Sequence, residues 1–556
     1  MMNRFLMRLM IPAILVVCSA RVAGQSTGFP QGSKDYTLLD RLEIKAQTDT
    51  VLNFSFIKPF QRKWWVNRLE LYRAEGSGIT LSTVDQYNLE RSLMQHPEWV
   101  SGDKKALRSK RSLWNTFFQN PAQMVQVDQP DFFLSVNPVL QLKYGRESGF
   151  DDPIMLNSRG MVARGLVARR VGFYTYLTEN QERGPEVWRD WVVRNRSVPG
   201  AGLYKRFKGT GYDYFDARGG VTFSAAKFID FQFGYDRQFL GNGYRSLFLS
   251  DFSNNYLFAN INMRVWRLNY VAKTMQLTSQ YTRGALDVLY PKKYMTVHHI
   301  SFNAPKWLTL GLFEAIVFDR MNTLELAYLN PIIFLRPMEL DMGSEDNALV
   351  GLDAKANIAK RFQLYGQVNF DEFNLRFLRE NKGWWANKWA FQAGGKYIDA
   401  FGVNNLDLQL EANWIRPFMF THNDTLANYT HYNQPLAHPM GANVREFIAI
   451  ARYQPAPKWQ LDAKLIGWQQ GSDTAGHNFG NSIFRDSDTR FMDEGYRFGA
   501  ATPVKGLNAN LWVSYEWKEN FFLEGNLMYR KLTGSESRLM ANFGIRWNMH
   551  RREYSY

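Results

Sequence analysis

Leu406-Asp407-Leu408-Gln409-Leu410-Glu411-Ala412-Asn413-Trp414 decides the fold of this chain. Apolar residues at 406, 408, 410, 412 and 414 alternate strictly with polar ones at 407, 409, 411 and 413. That period places one greasy face and one wet face on a β-strand. The pattern recurs in both directions. Leu257, Ala259, Ile261, Met263 and Val265 oppose Asn260, Asn262 and Arg264. Trp459, Leu461, Ala463 and Leu465 oppose Gln460, Asp462 and Lys464, and Phe521, Leu523, Leu527 and Tyr529 oppose Glu524 and Asn526.

A soluble sandwich alternates in the same way, but three features point to a membrane barrel. The strands run well past the ~5–6 residues of ordinary sheets. Trp and Tyr recur near strand ends, as interface girdles require. The connections also alternate in length. Short links fall at Ala226-Lys227, Trp266-Arg267, Ala304-Pro305-Lys306, Ala359-Lys360-Arg361, Gln454 to Lys458 and Trp517 to Asn520. Long links fall between them, at about 181–217, 237–254, 320–346, 373–387, 417–444 and 471–506. Tight turns at one end and long loops at the other are the rule for outer-membrane barrels. The expected fold is an all-β transmembrane barrel of about 18 antiparallel strands from Phe132 to Met549, with 16 as the alternative, behind a small N-terminal α-helical domain.

The 556-residue chain opens with Arg4 and Arg8, a short apolar run from Ile11 to Val17, and small residues at Val22-Ala23-Gly24. This reads as a cleaved secretory signal over 1–24, because the apolar run is too short to span a bilayer. The one cysteine, Cys18, lies inside it, so disulfides and cysteine-ligated metals are excluded from the exported chain. Residues 25–130 read as a periplasmic helical domain and 131–556 as the barrel. In the former, Leu38 to Ile44 is amphipathic, Ser82 with Asp85 makes a helix cap, and a further helix is expected from Lys104 to Phe118. Short turns then face the periplasm and long loops the exterior. The formal charge of +15 suits acidic polymers or the phosphates of lipopolysaccharide and outer-membrane lipid, and export excludes nucleic acid. Ala541, Phe543, Ile545 and Trp547 form a final strand. The aromatic Tyr556 after it resembles the signal read by the barrel assembly machinery.

Four segments resemble the Wzi-type capsule assembly family of outer-membrane barrels. They are Asn137-Pro138 after Phe132 and Phe133; Phe233-Gly234-Tyr235-Asp236-Arg237-Gln238-Phe239-Leu240-Gly241-Asn242-Gly243-Tyr244; Asn330-Pro331 followed by Phe334-Leu335-Arg336-Pro337; and Gln367-Val368-Asn369-Phe370-Asp371-Glu372. Leu240 stands where the family pattern has tryptophan. Asp40-Arg41-Leu42-Glu43-Ile44 resembles exported barrels of the Bacteroidetes. The resemblance implies a monomeric, non-catalytic lectin that holds surface polysaccharide, with no cofactor.

Candidate binding residues fall in three sets. Gln367, Asn369 and Asp371 share the polar face of one strand and would bind sugar hydroxyls or a plugging loop, unless they are plain barrel wall. Asp353, Lys355, Asp407, Glu411, Asp462, Lys464 and Glu524 join that wall, and their mixed signs predict a cross-linked, narrow interior. Around Gly241 and Gly243, which lack the helix of a phosphate loop, Asp236, Arg237, Tyr244 and Arg245 would bind an acidic sugar or form a structural Asp–Arg pair. Strand phase sends Asp230, Gln232 and Asp236 to the lumen and Phe231, Phe233 and Tyr235 to lipid. Loop aromatics Trp384, Trp385, Tyr429, Tyr432, Phe491 and Tyr496 are sugar platforms or loop packing. His422, His431 and His438 lack metal-site spacing, and no serine, histidine and acid converge by spacing. The function expected is polysaccharide binding or assembly. The alternatives are a porin-like channel and an outer-membrane component of a secretion or gliding apparatus.

Overall fold

The computed structural model describes residues 27–556, except 75, 103, 111, 115, 280–288, 321, 332–333, 344–345 and 475. The expected signal segment, 1–24, lies outside the described residues.

Eighteen antiparallel strands form one closed barrel. They are β1 (Phe132–Glu147), β2 (Ile154–Val167), β3 (Val171–Arg183), β4 (Gly211–Ala226), β5 (Ile229–Asp236) and β6 (Tyr256–Val265). Then come β7 (Leu268–Thr278), β8 (Lys292–Asn303), β9 (Leu308–Phe318), β10 (Asn347–Ile358), β11 (Phe362–Glu372) and β12 (Lys388–Tyr397). Last are β13 (Leu406–Ile415), β14 (Val444–Ala456), β15 (Trp459–Ser472), β16 (Thr502–Lys518), β17 (Phe521–Leu532) and β18 (Arg538–Trp547). Each pairs with its neighbours, and β18 closes on β1 from Met540↔Glu147 to Trp547↔Leu140. Closure leaves no free sheet edge for lipid to meet.

The alternation that opened the reading holds in β13. Asp407, Glu411 and Asn413 are buried inside, whereas Leu410 is half exposed on the outer wall. In β5, Phe233 and Tyr235 face outward and Asp236 inward. Trp266, Trp307, Trp459 and Trp517 stand exposed at the turn end, where a girdle belongs. The rule inverts in one sector. Met295 and Val297 of β8 and Phe313 and Val317 of β9 point inward, while His298 and Glu314 point outward. An apolar inner wall needs an apolar partner in the lumen, and residues 237–255 supply it.

Helices α1 (Asp35–Ala46), α2 (Arg62–Arg73) and α3 (Thr83–Gln95) form a layer across the turn end, around a core of Leu39, Leu42, Trp65, Leu69, Leu89 and Leu93. The Ser82 cap is present: its hydroxyl accepts from Asp85 N at 2.9 Å, and the Asp85 carboxylate accepts from Ser82 N at 3.1 Å. Among the described residues, the expected helix from Lys104 to Phe118 is absent. One 3-10 turn covers Lys105–Leu107, and Trp114 and Phe118 take positive φ. Leu113 and Trp114 are exposed there, so no buried stripe sustains a helix. The barrel sheet also starts a little before residue 131, since Val125–Asp128 pairs with β1.

This layer is bolted to the inner wall. Arg41 donates to Asp85 at 2.7 Å and Asp399 at 2.8 Å, and it also reaches Asp407 of β13. Lys355 of β10 meets Glu43 at 2.6 Å, Lys396 of β12 meets Asp40 at 2.9 Å, and Lys34 meets Glu516 of β16 at 2.6 Å.

Candidate functional site

The lumen is filled from three sides. The first filler is the loop between β5 and β6. Phe239–Leu240 pairs with Ile57–Lys58 of the N-terminal layer, and Gly241 N donates to Phe56 O at 2.9 Å. Leu247, Phe248 and Leu249 are fully buried, and Phe248 stacks on Phe313 with ring centroids 4.2 Å apart. The opposite wall holds the backbone of the loop. Gln367 accepts from Leu247 N at 2.9 Å and donates to Leu240 O at 3.2 Å, and Asn369 donates to Leu247 O at 2.8 Å. Glu411 accepts from Tyr244 N at 2.6 Å and Arg245 N at 3.0 Å. Gly243 has no positive φ; it is needed because a Cβ would run into the Glu411 carboxylate and sit 3.0 Å from Gln392 Oε1. Of the two roles open to Gln367 and Asn369, fastening a plug is the one their hydrogen bonds perform.

The expected Asp–Arg pair exists with its partners exchanged. Arg237 meets Asp216 at 3.2 Å, while Asp236 accepts from Tyr174 at 2.9 Å and lies 3.8 Å from Arg218. Asp236 and Arg237 are adjacent in the chain, so their side chains diverge at the strand end. Arg245 is buried against Glu446 at 2.9 Å and donates to Ser555 O at 2.6 Å.

The second filler is the end of the chain. Residues 548–556 leave β18 at the turn end and run up inside the barrel. Arg551 pairs with Asp462 at 2.7 Å, Glu553 with Lys464 at 2.5 Å and Arg552 with Glu182 at 3.2 Å. Tyr556 packs on Trp191 of α4 (Glu186–Asn195), in the β3–β4 loop. The wall charges attract this basic segment inward, which gives the cross-linked interior expected from the mixed signs. The third filler is the loop between β13 and β14. Tyr429 is fully buried and donates to Phe248 O at 2.7 Å; Phe420 N donates to Asp371 at 3.0 Å; His431 accepts from Thr278 N at 2.9 Å. His438 pairs with Glu446 at 2.8 Å, so the three loop histidines have separate surroundings.

Above these layers, three loops surround a cleft of about 230 Å³ lined by Glu372, Trp385, His422, Asn423, Ser487 and Asp488. A register shift after Phe370 carries Glu372 out of the wall to the rim, where Lys388 holds it at 2.9 Å. Trp385 N donates to Asp493 O at 2.9 Å, and the ring carries the Arg490 guanidinium 3.9 Å from its centroid. Arg490 is in turn fixed by Asp488 and Asp493, both at 2.8 Å. Burial, with Lys388 beside it, pushes the His422 imidazole below its usual value, so it is neutral near pH 7. An aromatic ring beside two carboxylates, an amide, a hydroxyl and a neutral imidazole suits a ligand with apolar C–H faces and many hydroxyls.

Of the loop aromatics, Trp385 lines this cleft. Trp384 stands next to it, stacked on Phe377 at 4.2 Å. Tyr496 is buried behind it, donating its N–H to Gly383 O, and Phe491 packs on Phe479. Tyr432 lies against His431. The remaining lining residues come from loops far apart in sequence, and no local spacing announces them.

Fold and site together define a class: a closed 18-stranded barrel of the outer-membrane type, filled inside, with a polar-aromatic cleft among its long loops. Among solved structures, the chain is similar to Wzi of Escherichia coli, an outer membrane protein involved in group 1 capsule assembly and a carbohydrate-binding β-barrel. The two align over 95% of this chain and 100% of that one, with a TM-score of 0.56 and 15% identity. OprD of Pseudomonas aeruginosa aligns over 74% of this chain and 94% of its own, with a TM-score of 0.42 and 10% identity. No family model matches the chain, and no curated protein matches it in sequence.

Proposed function

We propose that this chain is an outer-membrane barrel that binds or helps assemble a surface polysaccharide, capsular or secreted, without catalysing a reaction. The observation that carries this reading is the Trp385 cleft, set on the loop end of a barrel whose interior its own chain fills. The fold, similar to that of a carbohydrate-binding barrel, and the four family-like segments support a Wzi-like reading, and the Asp40–Ile44 segment is what supports a member of the kind carried by Bacteroidetes. The N-terminal layer and short turns face the periplasm, and the long loops face the exterior. Lipopolysaccharide surrounds the monomer, and the barrel assembly machinery inserts it.

Binding of purified surface polymer to the barrel in detergent tests the proposal. Trp385→Ala should weaken it by about 2 kcal/mol, roughly 30-fold in Kd, as loss of a central aromatic contact does. Glu372→Gln and Asp488→Asn should each weaken it less. Absence of binding to any polymer from the producing cell, with normal polymer retention in a deletion strain, would sink the reading. A porin-like channel predicts stepwise conductance from the unmodified protein, and a secretion or gliding component predicts co-purifying partner proteins.

A further inference from the structure

The connection between β9 and β10 does not stay at the loop end. It folds down over the outside of the barrel. The Tyr270 hydroxyl donates to Pro331 O, and Leu335 N donates to both oxygens of Glu314 at 3.1 Å. Tyr270 and Glu314 are outward-facing residues. In register, Tyr270 lies opposite Ile300 and Ile300 opposite Leu312, midway along β9. The connection therefore reaches halfway down the wall. Helix α5 (Leu335–Met342) then climbs back, its eight residues rising about 12 Å, which matches the ~13 Å from Glu314 to the end of β9.

Beneath it lies a patch that the apolar-outward rule forbids. His298 and Glu314 share a hydrogen bond at 2.9 Å, and Thr274 and Thr296 share one at 3.3 Å. Thr296, His298 and Glu314 point outward yet are buried, because Tyr328 and Leu335 pack over this sector with Ile316 and Phe318. The next outward positions, Val350 opposite Glu314 and Leu352 opposite Leu312, are bare: Leu352 is 53% exposed. The connection turns its own apolar side chains the same way. Leu326 is 72% exposed, Phe334 60% and Leu340 65%. Its charged groups lie on the ascending helix, where Arg336 pairs with Glu339, and around Arg320, which meets Asp346 at 2.6 Å and Glu325 at 3.9 Å.

We propose that this connection is a lipid-embedded strap: Leu326, Leu329, Phe334 and Leu340 contact the acyl chains of the bilayer, and the strap roofs the Thr274–Thr296–His298–Glu314 patch against them. The partner is committed by continuity with the apolar belt, since the wall positions next to Glu314 and Leu312 in register are the bare Val350 and Leu352. A carboxylate on the lipid face is tolerated because the strap backbone and His298 satisfy it, whereas a bare polar group in hydrocarbon costs several kcal/mol. This rests on the proposal that the barrel sits in a membrane.

Spin labels in proteoliposomes test it. In a Cys18→Ser background, labels are placed singly at Phe334→Cys, Leu340→Cys, Leu352→Cys on the bare wall and Lys382→Cys on a loop. The expected result is that labels at 334 and 340 relax with oxygen and are shielded from a water-soluble nickel chelate, as at 352 and opposite to 382. Nickel accessibility at 334 and 340 with a shielded 352 would overturn the strap alone. Nickel accessibility at 352 as well would overturn the membrane reading with it. Glu314→Ala should raise the mobility of the label at 334; unchanged mobility would overturn the anchoring role.

Discussion

Replacing Arg245 with alanine should open the barrel: the unmodified protein is expected to be silent in planar lipid bilayers and the variant to conduct. Arg245 is buried, paired with Glu446 and tied to Ser555 O, so it joins the wall, the β5–β6 loop and the tail of the chain. Removing one member of a buried ion pair costs about 3–5 kcal/mol when the other charge is stranded, and here Glu446 would keep only His438 as a basic partner, at 2.8 Å. The loop also pairs with Ile57–Lys58, so unseating it loosens the N-terminal layer at the same point. Gly243→Val should act in the same direction, since its side chain would displace the Glu411 carboxylate that holds the loop. Tyr429→Phe removes one hydrogen bond to Phe248 O, about 1 kcal/mol, and should leave the barrel closed. Step conductance in the unmodified protein, or silence in both disruptive variants, would contradict the plug.

Arg41→Ala should detach the N-terminal layer from the turn end. Arg41 is the hub of Asp85, Asp399 and Asp407; its loss strands Asp407 and leaves Asp85 and Asp399 to Lys45 alone, an effect of about 3–5 kcal/mol on docking. Hydrogen exchange of residues 27–124, corrected for intrinsic rates, should rise across the layer while the barrel strands stay protected. The same cluster sets the pH response. Burial pushes the Asp85 and Asp399 carboxyls up, but hydrogen bonds and charge from Arg41 outweigh it and hold both below the usual value of 3.8. A depressed carboxylate contributes stability that is present above its unfolded pKa and lost as pH falls through the folded one. Protection of the layer should therefore be level from pH 8 to about 5 and decline below about 4. In Arg41→Ala the trend should reverse, with acid restoring some protection by neutralising the excess of carboxylates left around Lys45. A decline that begins near neutrality would assign the response to other groups.

Strand, turn and wall were legible in the sequence because they rest on local periodicity. Leu406 to Trp414 alternates, and the structure closes its strand into an 18-stranded barrel; Ser82 and Asp85 are three apart, and they cap a helix. Residues 104–118 misled because five large apolar residues (Leu107, Leu113, Trp114, Phe117 and Phe118) suggest a helix, yet Leu113 and Trp114 are left exposed. His298 and His299 show the limit more sharply. Alternation says that one faces in and one out. It does not say that His299 meets Phe56 of the N-terminal layer inside while His298 meets Glu314 under a strap outside.

By itself, then, the sequence determined what depends on neighbours along the chain: an all-β barrel, its strand phase, its short and long ends, and a polar interior of mixed sign. Only the tertiary structure decided what fills that interior and what stands over it. The β5–β6 loop, residues 548–556 and the β9–β10 connection each leave the end of a strand, and nothing in their composition fixes the direction they take. That direction is set by distant surfaces: Phe313 and Gln367 for the loop, Glu182 and Asp462 for the tail, and Glu314 for the strap. The cleft at Trp385 exists for the same reason, since its lining comes from three loops that meet only when the barrel closes.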